Sequence, residues 1–160
     1  MKCHAFVACN KIIIDKDGAH SIIEIMLNAE IRAVRTAVVG NNNSTTIEIP
    51  PNAVSPQVWW LYTQWEPSSQ DVGEDFEQVF QVYWPNGDKF AETRLQFNQK
   101  DDKMNQTSFF FGGFPLGQEG KLRLLTWLDH HGHSSEVIES FVMIKHVRIP
   151  ASQQQGVYTS

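Results

Sequence analysis

The feature that most constrains the fold is a two-residue alternation of apolar and polar side chains, because a strand places successive side chains on opposite faces. The alternation is clearest in residues 76–97. In its first half, FEQVFQVYW, the apolar residues that share a face are Phe76, Phe80, Val82 and Trp84. The second half, FAETRLQF, alternates too, and the segment PNGD between them has the composition of a tight turn. The sequence therefore predicts a β-hairpin over 76–97.

The same period recurs along most of the chain. Strands separated by turn or loop signals are predicted at 3–14, 20–27, 59–65, 121–129 and 136–147, with another entering the glycine-rich segment after Phe111. Residues 29–39 fit a helical stripe or a strand equally well, residues 40–46 form a predicted loop, and IEIP is a predicted short strand. We therefore expect an all-β fold, an antiparallel β-sandwich of about seven to nine strands. Immunoglobulin-like, C2-like and jelly-roll topologies all fit this pattern.

Length and charge limit the organisation and the partners. The 160 residues fit one domain, which we expect to span 1–149 and to be followed by a polar, frayed tail at 150–160. A net charge of −5 without a basic patch argues against a nucleic-acid partner. The chain has neither a continuous signal-peptide core near its start nor an apolar run of about 18 residues, so we expect no membrane partner and a cytoplasmic protein.

Only two cysteines are present, Cys3 and Cys9. In one extended strand their Cα atoms would lie about 20 Å apart. A disulfide requires about 7 Å or less. Two buried free thiols are therefore expected, in apolar surroundings that disfavour the reactive thiolate.

The sharpest chemical feature is the segment DHHGHSSE at 129–136. His130, His131 and His133 are candidate ligands for one divalent transition metal, with Asp129 or Glu136 as an additional ligand, since neutral imidazole binds such ions well. The competing interpretation is a solvated hairpin connection that is polar because it is wet. The acidic group Asp71, Glu74, Asp75 and Glu77 lacks the spacing of a calcium loop, and we interpret it as a charged turn.

Aromatic residues are the second candidate. Seven of them are large enough to form a stacking platform for sugar rings, a protein interface or plain core: Trp59, Trp60, Tyr62, Trp65, Tyr83, Trp84 and Trp127. No nucleophile motif, phosphate-binding loop or dinucleotide fingerprint accompanies them. The sequence thus predicts no catalytic residues.

The order of turns and strands resembles a family of uncharacterised bacterial β-sandwich proteins. The resemblance covers about residues 3–147 and is carried by the opening KCHAFVACNKIIIDKDGAHSIIEIM, the strand from Val58 to Trp65, the turn PNGD, the segment FPLGQEG and the final strand from Phe141 to Val147. It implies an intracellular bacterial or phage-associated sandwich and carries over no catalytic residue. The length of 29–46 and the histidine segment depart from the family pattern.

These observations favour a non-catalytic module that binds another protein or a second copy of itself, without a cofactor. A metal-binding protein or metal-assisted hydrolase using His130, His131 and His133 is the first alternative. A carbohydrate-binding module using tryptophan and tyrosine faces is the second.

Overall fold

The computed structural model describes residues 1–16, 20–33 and 49–148, and all regular structure in these ranges is β. It contains nine strands of six or more residues and three strands of two residues. The predicted all-β sandwich is confirmed. The loop at 40–46, the tail at 150–160 and part of the turn at 15–18 lie outside the described residues. In the described ranges, no helix has the length and apolarity needed to cross a membrane.

Two sheets form the sandwich. Sheet 1 contains, in spatial order, β2 (His20–Ile25), β1 (Lys2–Ile14), β5 (Trp59–Glu66) and β8 (Asn105–Phe111). Sheet 2 contains β3 (Asn28–Ala33), β12 (Ile138–Arg148), β10 (Gly120–His130), β6 (Asp75–Tyr83) and β7 (Lys89–Asn98), with the short β11 (His133–Ser134) also paired to β10. The two-residue strands β4 (Val54–Ser55) and β9 (Phe114–Pro115) pair with each other.

The predicted hairpins are present. β6 and β7 pair antiparallel on either side of the PNGD turn, with Phe76 opposite Phe97. β10 pairs antiparallel with β12, and β1 pairs antiparallel with β2. In each case the apolar alternation and the composition of the turn agree. The local sequence is therefore sufficient to predict these pairings.

The ambiguous stretch at 29–39 contains a strand, β3, in its described part. β3 pairs with β12 in parallel, the one parallel pairing among the described strands. The chain reaches it by crossing from sheet 1 to sheet 2 immediately after β2. The Met26 amide donates to the Ala8 carbonyl in sheet 1, and the Leu27 carbonyl accepts from Met143 in sheet 2. A parallel neighbour needs such a crossover, which a hairpin pattern does not reveal.

The main core lies between the sheets. Its fully buried side chains come from the inward faces of both sheets and include Trp59, Leu61, Phe80, Val82, Leu122, Leu124, Val142 and Ile144. Each such side chain contributes about 1.5–3 kcal/mol on leaving water. The face that the alternation assigned to Phe76, Phe80, Val82 and Trp84 is buried as expected.

A polar cluster crosses this core. Gln78 of β6 is fully buried, and its Nε2 donates to Thr63 Oγ1 at 2.8 Å and to Thr126 Oγ1 at 3.0 Å. Its Oε1 accepts from Thr107 Oγ1, which lies 2.5 Å from the Thr63 hydroxyl. Thr63 and Thr107 belong to sheet 1, whereas Gln78 and Thr126 belong to sheet 2. The cluster therefore links the sheets by hydrogen bonds in the middle of an apolar interface.

The β1–β2 hairpin folds back over the outer face of sheet 1. Cys9 pairs with both β5 and β2, and beyond it β1 continues with β2. His20, near the tip of this hairpin, has its ring 5.8 Å from that of Tyr62 and its Nδ1 2.8 Å from Gln106 Oε1. β1 leaves β5 beyond Cys9, which pairs with Trp60. Tyr62 and Gln106 lie further inside sheet 1, opposite Val7 and Gln64, so the hairpin must turn back across the sheet to contact them. Ile12, Cys9 and Tyr62 are buried together beneath it.

Candidate functional site

The histidine segment forms a tight hairpin at the end of sheet 2. His130 of β10 pairs with His133 of β11, so His131 and Gly132 alone make the turn. Both have positive φ, 49° and 78°, which suits the primed two-residue turn that matches strand twist. Asn-Gly and Asp-Gly are the usual residues in such a turn. Here a histidine takes the first position, and its imidazole is exposed.

Two imidazoles of this turn converge on one carboxylate. His130 Nε2 lies 3.2 Å from Glu74 Oε2, and His131 Nε2 lies 3.0 Å from the same oxygen. The two rings are 4.1 Å apart between centroids. Hydrogen bonds from His130 and then His131 lower the pKa of the Glu74 carboxyl, so Glu74 is ionised at neutral pH. One ligand atom from each of the three residues lies within 4.8 Å of the other two.

The other predicted ligands are placed differently. His133 is exposed on β11 and does not join this group among the described residues. Asp129 Oδ1 accepts from Trp127 Nε1 at 3.0 Å and from Ser134 Oγ at 2.5 Å. Glu136 is exposed. The structure therefore brings together His130 and His131 of the sequence-predicted set and replaces the third histidine with Glu74.

Glu74 is positioned by the loop before β6. Its amide donates to the Asp71 carbonyl at 3.2 Å, and its carbonyl accepts from Gln99 at 2.9 Å. These bonds fix the backbone where the β6–β7 hairpin begins, beside the end of β10. The sequence predicted a charged turn containing Asp71, Glu74, Asp75 and Glu77; Asp71 lies in a turn and Glu74 follows it, whereas Asp75 and Glu77 belong to β6. The partners of Glu74 lie 56 and 57 residues away and become neighbours only because β6 pairs with β10.

The surroundings hold the site in place. Phe76 stacks on the His130 ring at 4.6 Å and on Phe97 at 5.7 Å. Beside the turn is a cleft whose lining includes Asp75, Glu77 and Asp129 together with the two imidazoles. Arg94 crosses the outer face of sheet 2, with Nη1 2.5 Å from Glu77 and 3.6 Å from Asp129. The outer face of sheet 2 is thus charged and ion-paired around the cleft.

Most of the candidate aromatic platform is core. Trp59, Trp65 and Trp84 are buried, and Tyr62 is covered by the β1–β2 hairpin. Trp60 and Trp127 are half-buried, but they lie on different sheets and cannot share one sugar ring. The core interpretation is confirmed for the three buried indoles. Among the described residues, Trp60 belongs to an aromatic surface on sheet 1, and the half-buried Tyr83 and the exposed Phe141 lie on sheet 2.

Both cysteines are free thiols, as expected. Cys9 is fully buried, whereas Cys3 is half-buried rather than buried. Burial raises the pKa of the Cys3 thiol, and it raises that of Cys9 to about 11. Neither thiol has the lowered pKa of a reactive nucleophile.

The open end of sheet 1 has a different character from sheet 2. β8, NQTSFFF, is the last strand of sheet 1 and contains no charged residue. Phe110 is 56% exposed on the outer face of this strand, with its ring 5.5 Å from that of Trp60 on β5. Val58, immediately before β5, is also exposed. An uncharged, aromatic edge strand is an unusual surface for a soluble domain, because edges normally carry charges or prolines that prevent pairing.

The fold and these two surfaces define a two-sheet β-sandwich with an uncharged edge on one sheet and an imidazole–carboxylate cluster on the other. No known family model matches the sequence, and no curated protein matches it either.

Proposed function

We propose that this protein is a non-catalytic interaction module of the bacterial cytoplasm, and that its partner is a second copy of the same chain. The bacterial and cytoplasmic setting is proposed from the turn and strand pattern that resembles the bacterial sandwich family. The observation that carries the proposal is the β8 edge, which ends sheet 1 without a single charged side chain.

The edge strands of the two sheets differ in charge. β7, at the edge of sheet 2, carries Lys89, Glu92 and Arg94, and Glu92 pairs with both cations. Such charges oppose the approach of another strand. β8 has no equivalent charge, and no strand of the described ranges pairs with its outer edge, so an added strand could bond there at low electrostatic cost.

A second copy suits β8 because the strand is compatible with itself. Two copies each carrying a charge of −5 repel at long range, but the uncharged β8 adds no like-charge contact at short range. Antiparallel pairing about a two-fold axis near Phe110 would place that ring opposite its own copy, with the two Phe110 rings between the two Trp60 rings. Aromatic cross-strand pairs of this kind contribute roughly 0.2–1 kcal/mol each, and burying Phe110 and Val58 adds a hydrophobic term.

Placing a charge on this edge tests the proposal. We expect the wild-type protein to sediment at twice its chain mass of 18.3 kDa and Phe110→Lys to sediment as a monomer, because the two-fold axis brings the new ammonium groups together. The matched control is Gln96→Lys, an exposed position on the edge strand β7 of the other sheet, which should remain dimeric. Sedimentation velocity over a hundredfold concentration range measures both. A wild-type monomer throughout, or a dimer that survives Phe110→Lys, would contradict the proposal.

A further inference from the structure

We infer that Glu74, His130 and His131 form a binding site for a divalent transition-metal ion of the zinc class. The site lies on sheet 2, away from β8, and the inference is independent of self-association. Its ligand set differs from the three clustered histidines that the sequence offered, because a carboxylate from a distant loop replaces His133.

The spacing of the donor atoms matches a coordination shell. Ligands about 2.1 Å from a tetrahedral metal lie about 3.4 Å from one another. The two distances from Glu74 Oε2 to the histidine nitrogens are 3.2 and 3.0 Å, and all three donor atoms lie within 4.8 Å of one another. Side-chain movements would bring the three atoms to the spacing of a metal-bound set.

The chemistry of the donors selects the class of ion. Two neutral imidazoles and one carboxylate suit zinc, cobalt or nickel, whereas calcium and magnesium prefer oxygen donors throughout. Three protein ligands leave at least one coordination position for water. The His131 side chain is 73% exposed, so this position faces solvent and the ion can enter and leave.

The local charge supports the same conclusion. Three more carboxylates line the adjoining cleft, those of Asp75, Glu77 and Asp129, against the single guanidinium of Arg94. This excess of negative charge attracts a cation.

Titration calorimetry with ZnCl₂ on chelator-treated, tag-free protein tests the inference. The key variants are Glu74→Gln and His131→Asn, the latter chosen because asparagine tolerates positive φ. We expect each to weaken zinc binding by about tenfold or more, since even indirect supporting residues of metal sites change affinity by about 10–100-fold. The matched control is His133→Asn, an exposed histidine in the same hairpin, which should bind within about twofold of wild type.

Cobalt supplies a second readout, because the position and intensity of its visible bands report the coordination number and geometry of the bound ion. We expect Co²⁺ bands in the wild type and in His133→Asn, bands lost in His131→Asn, and no displacement of Co²⁺ by equimolar Ca²⁺ or Mg²⁺. Absence of zinc binding by the wild type would overturn the inference. So would binding that depends on His133 and survives Glu74→Gln, since this outcome would select the cluster of three histidines instead.

Discussion

Replacing Gln78 with leucine is expected to lower the free energy of unfolding by about 3 kcal/mol, although leucine is apolar and the site is a core position. Gln78 is fully buried and its amide contacts hydroxyls of both sheets, those of Thr63, Thr107 and Thr126. Leucine removes these bonds and leaves the hydroxyls buried. Each hydrogen bond lost in this way costs about 1 kcal/mol or more, and a typical domain is stable by only about 5–15 kcal/mol.

The matched control is Gln81→Leu, the same substitution on the same strand. Gln81 faces outward and accepts from Tyr83 Oη at 2.8 Å at a half-buried position. We expect a change within about 1 kcal/mol there. Urea unfolding at one fixed protein concentration measures both variants, since association makes stability depend on concentration.

A rescue variant separates lost hydrogen bonds from altered shape. Combining Gln78→Leu with valine at Thr63, Thr107 and Thr126 also removes the three buried hydroxyls, together with the Thr63–Thr107 contact and the bond from Thr126 to the Val79 carbonyl. We expect stability within about 1 kcal/mol of wild type. A Gln78→Leu protein as stable as Gln81→Leu, or a combined variant less stable than Gln78→Leu alone, would contradict this account of the polar cluster.

Truncating Trp59 to alanine is expected to cost about 4 kcal/mol. The indole is fully buried, stacks on Phe111 at 4.9 Å, meets Phe114 edge-on at 5.3 Å and donates from Nε1 to the Gly113 carbonyl at 2.8 Å. It therefore joins β5 to the connection between β8 and β9. Alanine leaves a cavity and an unpaired carbonyl in that connection.

The comparison for Trp59 is Trp127→Ala, at a half-buried indole on the outer face of sheet 2 that we expect to cost about 1 kcal/mol. Since Trp59→Ala leaves a marginal protein, Trp59→Phe provides a milder test. It keeps a ring but loses the bond to Gly113, and should cost about 1–2 kcal/mol. Equal urea midpoints for Trp59→Ala and Trp127→Ala would show that Trp59 does not anchor the connection.

Local patterns predicted the strands but not every neighbour. The β6–β7 and β10–β12 pairings follow from alternation and turn chemistry within about thirty residues, and both are present. The parallel partner of β3 is more than a hundred residues distant, and the return of the β1–β2 hairpin over Tyr62 depends on contacts that no alternation encodes. A signal for the polar cluster was visible, because Gln78 falls on the same face as Phe76 and Phe80.

The candidate metal site was half predictable for the same reason. His130 and His131 are adjacent in sequence, so the sequence alone identifies them as candidate metal ligands. Glu74 joins them only through the pairing of β6 with β10, whereas His133 lies opposite His130 across the turn but contributes no donor atom to the group. Proximity in the sequence therefore indicated His133 as the third ligand, whereas the geometry indicates Glu74.

Oxidative cross-linking at Phe110 tests the central claim, self-association through β8, most directly. Directly opposed residues in antiparallel strands have Cα atoms about 4.5–5.5 Å apart, within the range of a disulfide. We predict that Phe110→Cys forms a covalent dimer under mild oxidation, while Gln96→Cys on β7 and the wild type, with its half-buried Cys3 and buried Cys9, remain single chains on a non-reducing gel. Cross-linking no faster at position 110 than at position 96 would contradict the claim.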